Sequence, residues 1–259
     1  MSSKSYWDAH CHLADPKFSE GLMGILDRSE KAGVNQWLQG GIGPEDWEEQ
    51  KKISRFRPHR IHLAFGLHPW WVATHDEGEI ISALKKLESE LPQAVCLGEL
   101  GLDYMPKFLA KAQLQQEVFR AQLLLNARWN KPLVLHVVRA HEDALSILRA
   151  GPSKKGLVHA FSENRSVLKK YLDLGFLISV GDAVRKQGYQ KLKETLQFIP
   201  LERLVVETDA CGGPTEPADL VAIASVISEM RGDISPEALL ENSAENLQSL
   251  LGPYLSQRV

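Results

Sequence analysis

The sequence predicts an α/β protein, a closed (β/α)8 barrel formed as a single domain over residues 1–259, and three observations carry that prediction. Apolar, β-branched-rich runs recur along the chain, each followed by a stretch of helical periodicity, which is the pattern of repeated β-α units. Eight such units can be read, and 259 residues is an ordinary length for one barrel. No Gly-x-Gly-x-x-Gly opens a helix after the first run, so the competing open, doubly wound sheet lacks its signature.

In chain order the expected strands are Tyr6–Leu13, Val34–Gly41, Ile61–His68, Ala94–Leu102, Pro132–Val138, Gly156–Phe161, Gly175–Gly181 and Arg203–Ala210. Amphipathic stretches lie between them, among them "SEGLMGILDRSEKAG", "EGEIISALKKLESEL", "AQLQQEVFRAQLLLNARWN" and "NRSVLKKYLDLG". Two of these end at Gly33 and Gly175, as helices tend to do. No Pro/Gly/Ser linker, low-complexity tract or internal repeat beyond the β-α alternation divides the chain.

Bulk properties narrow the function. With 44% hydrophobic and 24% charged residues the chain can bury a sizeable core. A net charge of −3 provides no basic excess for general electrostatic binding of nucleic acid, so an anionic substrate must be held locally. Divalent ions could supply that charge. Three cysteines without a Cys-x-x-Cys spacing suggest a reduced, cytoplasmic compartment. The start "MSSKSYWDAH" lacks an apolar leader and no run reaches membrane-spanning length, so no membrane association is expected.

The chemistry begins at "WDAHCHLAD". His10 and His12 lie two apart on an expected strand, so their imidazoles share a face and can converge on one divalent ion, with Cys11 turned away. Barrel sites are built at the C-terminal ends of strands, so further ligands should sit late in other strands. They do: Glu99 in "VCLGELGLD", His136 in "PLVLHVV", His159 in "GLVHAF", and Glu207 and Asp209 in "RLVVETDA". Each interrupts an apolar run, and a buried imidazole or carboxylate needs a partner.

Six ligands exceed the four of a structural zinc site and suit two ions. Glu99, between the others around the ring, is the expected bridge: His10, His12 and Asp209 with it for one ion, His136 and His159 with it for the other. Mixed His and carboxylate ligands fit Zn, Mn or, less well, Mg. Two ions about 3.5–4 Å apart would form a clamp for phosphate ester hydrolysis, with Asp209 as general base.

These residues resemble the TatD family of metal-dependent deoxyribonucleases. The matching pieces are "DAHCHLAD", "FGLHP" (65–69), "GELGLD" (98–103), "PLVLH" (132–136), "VHAFSE" (158–163) and "VVETD" (205–209), in family order. The resemblance implies a TIM barrel, divalent metal dependence and phosphodiester hydrolysis, with DNA or a short oligonucleotide as substrate and 3′-to-5′ exonuclease activity. It also implies active-site roles for Glu207, two residues before Asp209 on the same strand face, and for His68, which would orient or stabilise the scissile phosphate. Glutamate on strand four, in place of the carboxylated lysine of many binuclear amidohydrolases, argues against a phosphotriesterase or urease type of site.

Several phosphate-facing positions depart from the family. Pro106 stands where an Arg is common, Arg139 comes one step late after His136, and Cys211 replaces the Pro after "ETD". Losing bidentate Arg contacts weakens phosphate recognition. Lys107, Arg139, Arg185 and Lys186 are candidate replacements. These departures keep open a second reading, a metal-dependent amidohydrolase, deacylase or lactonase. Trp70 and Trp71 are expected to pack a loop rather than stack on bases, Cys211 to be a small loop residue, and His59, His62, His75 and His141 to be surface or packing residues. A monomer is expected.

Overall fold

The structure, a computed structural model, describes residues 5–152 and 155–255. Its strands are β1 (Tyr6–Cys11), β2 (Val34–Gln39), β3 (Ile61–His62), β4 (Ala64–Phe65), β5 (Cys96–Asp103), β6 (Leu133–Val138), β7 (Gly156–Val158), β8 (Leu177–Val180) and β9 (Leu204–Val206). Every paired neighbour is parallel and follows chain order, β1-β2-β3 and β4 through β9.

These are the eight strands of a TIM barrel, the third interrupted at Leu63, whose carbonyl accepts from Val95 N at 2.8 Å. The last seam is sewn by backbone bonds beyond the regular ladder: Asp209 N donates to His10 O at 2.9 Å and His12 N to Ala210 O at 2.8 Å. Sequence order alone therefore brings the first ligand pair beside the last.

One apolar cluster takes a residue from each barrel strand: Trp7 and Ala9, then Leu38, Ala64, Cys96, Val134, Leu157, Leu177 and Val205. Side chains from all strands meet only inside the ring, so this is the barrel interior, shared with Leu247 and Leu251 of the last helix, Pro236–Leu255. His136, His159 and Glu207 each lie two residues beyond an interior residue of the same chain segment, which aims them at the axis above that core.

The four amphipathic stretches named above fold as helices Leu22–Lys31, Glu77–Glu90, Ala112–Asn126 and Arg165–Asp173. Four strand expectations need correction. The first stops at Cys11, before His12. The third does not run to His68, which instead caps the helix Pro69–Thr74. The sixth stops at Val158, before His159. The eighth stops at Val206, so Glu207 and Asp209 lie past the strand. No helix among the described residues is long and apolar enough to cross a membrane.

Candidate metal centre

All six expected ligands and His68 meet at the C-terminal mouth. His10 Nε2 and His12 Nε2 are 3.1 Å apart. Each faces Glu99 Oε1, at 3.6 and 3.3 Å, and Asp209 Oδ1, at 3.8 and 3.6 Å. A tetrahedral ion with ligands at about 2.0–2.1 Å spaces them about 3.3 Å apart, so these atoms form such a shell with slight expansion. On the other side His136 Nδ1, His159 Nε2 and Glu99 Oε2 form a triangle of 3.2, 3.1 and 3.5 Å. Glu99 thus offers one oxygen to each group.

The residues fit metal on further grounds. Both Glu99 carboxylate oxygens are buried without a hydrogen-bond donor, an expensive state for a charge. Gly40, just past β2, leaves the space: a Cβ there would stand 2.4 Å from His10 Cε1, 2.5 Å from His12 Cε1 and 2.8 Å from Glu99 Oε1.

The rear nitrogen of each imidazole decides what its front nitrogen can do. His136 Nε2 lies 3.3 Å from Asp103 Oδ2 and His159 Nδ1 lies 3.5 Å from Glu207 Oε1. Asp103 is hydrogen-bonded to the rear nitrogen of His136, which leaves a lone pair in front, the arrangement of a metal ligand, and Glu207 stands behind His159 at longer range. His68 is the opposite case. Its Nδ1 accepts from Trp70 N at 3.0 Å, so in the neutral ring Nε2 carries the hydrogen and points at Glu99 Oε2, 3.8 Å away.

Charge follows this layout. Burial works against the Glu99 carboxylate, yet His10, His159 and His68 hold it well below the usual range. Burial also disfavours the His159 imidazolium, but Glu99 and Glu207 outweigh it and push it up to about 10. For His68 burial, reinforced by His136, keeps the ring neutral well below its ordinary value.

Glu207 and Asp209 do not share a face. Asp209 takes a left-handed φ of 52° and presents a side chain 41% exposed to the cleft. Glu207 is buried behind His159, accepting from Ala160 N at 2.6 Å and from the Ser179 hydroxyl. The expected strand parity fails because the strand has already ended.

Two functional positions escaped the sequence reading. Asp103 accepts from the Trp70 indole and from Met105 N at 2.8 Å while backing His136. It closes the same "GELGLD" run that carries Glu99, four residues on, which was the available signal. Asp8 is buried and accepts from Thr208 N at 2.9 Å and Thr208 Oγ1 at 2.5 Å, tying β1 to the segment that carries Asp209. Burial raises its pKa to about 8.

A cleft of about 1050 Å³ opens from the ligands outward. Trp71 packs inward, stacked on His75 at 3.8 Å, as expected. Trp70 does not: it is 43% exposed, lines the cleft and stacks on Phe108 at 5.9 Å. Of the candidate phosphate-binding cations, Arg185 and Lys186 are engaged with Asp182, while Lys107 lies over Trp70 and Phe108. Neither these nor Arg139 lines the cleft. Cys211 lines it and is exposed. His62 stacks on Trp7, His141 meets the Tyr171 hydroxyl, and His59 is on the surface, as expected of packing or surface residues.

Comparison with known proteins yields a family-model match to "TatD related DNase" over residues 7–252. An uncharacterized metal-dependent hydrolase of Escherichia coli, YjjV, is 29% identical, covering 91% of this chain and 95% of that protein. The 3′-5′ ssDNA/RNA exonuclease TatD of Erwinia tasmaniensis is 30% identical, covering 94% of this chain and 98% of that protein. The crystal structure of E. coli YjjV superposes with a TM-score of 0.84 at 26% identity, covering 97% of this chain and 99% of that one.

Proposed function

The chain belongs to the TatD related DNase family of metal-dependent hydrolases, and from that premise we propose that it removes nucleotides from the 3′ end of DNA or short oligonucleotides with two divalent ions. The observation that carries this reading is Glu99, buried and without hydrogen-bond donors, with one oxygen toward His10 and His12 and the other toward His136 and His159. His10, His12, Glu99 and Asp209 would hold one ion; His136, His159 and Glu99 would hold the other. Mn, Zn or Mg suits such a donor set. When bound, divalent ions polarise a phosphoryl oxygen and lower the proton affinity of water.

The chain's own groups do the rest. Asp209, open to the cleft, is the general base and takes the proton of the attacking water. His68, neutral with its hydrogen on Nε2, donates to a non-bridging phosphoryl oxygen as charge builds there. Asp103 and Glu207 hold His136 and His159 in the tautomers that face the cleft, so Glu207 acts as a positioning residue. The complete ligand set within one chain supports action as a monomer, and three cysteines that form no disulfide among the described residues support a reduced, cytoplasmic setting.

The test is shortening of a 5′-labelled single-stranded oligonucleotide by chelator-stripped protein resupplied with Mg, Mn or Zn, beside Asp209→Asn and Glu99→Ala. A metal-dependent 3′ ladder that both variants abolish is the expected result. One observation favours a second reading, hydrolysis of a small ester, lactone or amide: no arginine among the described residues lines the cleft. Turnover of acyl substrates with none on phosphodiesters would establish it instead.

A further inference from the structure

The cleft is lopsided. From the ligands it runs outward between the loop after β1 and the loop and helix after β2, along Leu22, Met23, Ile53, Phe56 and Trp71. Leu22, Ile53 and Trp71 are buried beneath it, while Met23 and Phe56 stand 45% and 50% exposed along its length. Its rim is acidic. Asp15, Glu45, Asp46 and Glu49 line this arm, against one cation among the described residues, Lys17. Asp46 is turned into Ile42 N and Gln50, and Glu49 meets Lys52, but Glu45 is exposed with no ion pair among the described residues.

The opposite side of the centre has another character. There Trp70 meets His136 edge-on at 5.5 Å, and Lys107 Nζ lies 5.3 Å from the Trp70 ring and 4.5 Å from the Phe108 ring. A cation over stacked aromatics suits a strand that brings both bases and phosphates.

A polynucleotide adds one negative charge per nucleotide, so it cannot continue along a low-dielectric wall rimmed by carboxylates without mounting repulsion. The last nucleoside at a 3′ end is different. Beyond the scissile phosphate it carries a flat base, a sugar and a hydroxyl, and no further charge. We propose that the apolar, acid-rimmed arm between the loops after β1 and β2 receives this terminal nucleoside and rejects a terminal phosphate, making the enzyme selective for 3′-hydroxyl ends. The proposal rests on the phosphodiester reading above. The base lies against Met23 and Phe56, the scissile phosphate sits at the centre, and the rest of the strand leaves over Trp70 and Lys107. Asp15, Glu45 and Glu49 are specificity residues in this scheme, since they act on the end of the substrate and not on its scissile bond.

Two 5′-fluorescein oligonucleotides of one sequence, ending in a 3′-hydroxyl or a 3′-phosphate, separate the possibilities. Initial shortening rates are measured with the metal-loaded protein, and equilibrium binding by anisotropy with metal-loaded Asp209→Asn. The 3′-hydroxyl end should be preferred at least about tenfold in both. Charge reversal by Glu45→Lys with Glu49→Lys should bring the ratio toward one, and the milder pair Glu45→Gln with Glu49→Gln should give an intermediate ratio. Equal use of both ends by wild type, or a ratio unmoved by charge reversal, overturns this inference alone. Failure to shorten either end with any metal overturns the phosphodiester reading and this inference with it.

Discussion

Replacing Gly40 by alanine tests whether two ions share Glu99. The new Cβ would stand 2.4 and 2.5 Å from the Cε1 atoms of His10 and His12, where carbon–carbon contact is ordinarily about 3.5–4.0 Å. Relief requires the imidazoles to retreat by about 1 Å, several times the roughly 0.2 Å tolerance of a metal–ligand distance. Overpacking of this kind costs about 1–3 kcal/mol, or about 2–10 °C in melting temperature for a chain of this size. Metal affinity at the His10 and His12 position should fall at least about 100-fold, equivalent to about 3 kcal/mol. The third close contact, 2.8 Å, is to Glu99 Oε1, the oxygen on the His10 and His12 side, so the ion held there should be lost before the one held by His136 and His159. Elemental analysis after dialysis against limiting metal, with calorimetric titration, should read two ions per chain in wild type and one in Gly40→Ala. A variant that keeps both ions at wild-type affinity would refute the reasoning, because the space beside His10 and His12 would then be irrelevant to binding.

Other consequences follow from the same geometry. Asp103→Asn removes the carboxylate behind His136 Nε2, and calorimetry should find affinity for one ion reduced about 10–100-fold with the other unchanged; equal affinities would assign Asp103 to packing alone. His68→Ala should leave metal content intact while lowering kcat by about 100-fold or more with little change in KM; loss of an ion would make His68 a ligand instead of a donor. Chelation should lower the melting temperature, since an ion held at about a thousand times its Kd contributes about 4 kcal/mol. It should also weaken oligonucleotide binding in an anisotropy titration, and an unchanged titration would mean that the phosphate is held by side chains alone.

What the sequence made legible depended on periodicity. His136 and His159 stand two residues beyond interior Val134 and Leu157, so simple alternation aims them correctly. Glu99 and His10 are harder: they follow Cys96 and Ala9 by three residues and one, and reach the axis only because the β5–β6 and β1–β2 registers shift beside them. Their chemistry was visible as polar interruptions of apolar runs, while the backbone irregularity that aims them was not. The same limit explains Glu207 and Asp209. Alternation put them on one face, but the strand ends at Val206 and Asp209 turns to positive φ, where its N–H donates to His10 O across the closing seam. Asp103 and Gly40 act through groups distant in the chain, the one behind His136 and the other beside His10, His12 and Glu99. Neither relation has a local pattern.

The electrostatics of the centre show how a net-negative chain could serve the polyanionic substrate proposed for it. Four carboxylates, Glu99, Asp103, Glu207 and Asp209, surround the imidazoles, and the cleft beyond adds more acid than base. Side chains alone would repel a phosphate here. Two divalent ions, bound as proposed, would carry a formal charge equal and opposite to those four carboxylates and would remove that repulsion. Attraction would then be confined to the point of hydrolysis, while the acid rim would still discourage charge on the arm beyond. Phosphate-binding arginines at the family positions would spread that attraction along the strand; Pro106 and Val138 stand at two of them here. On the proposed reading, specificity in this chain would therefore follow from where positive charge is withheld as much as from where the ions supply it.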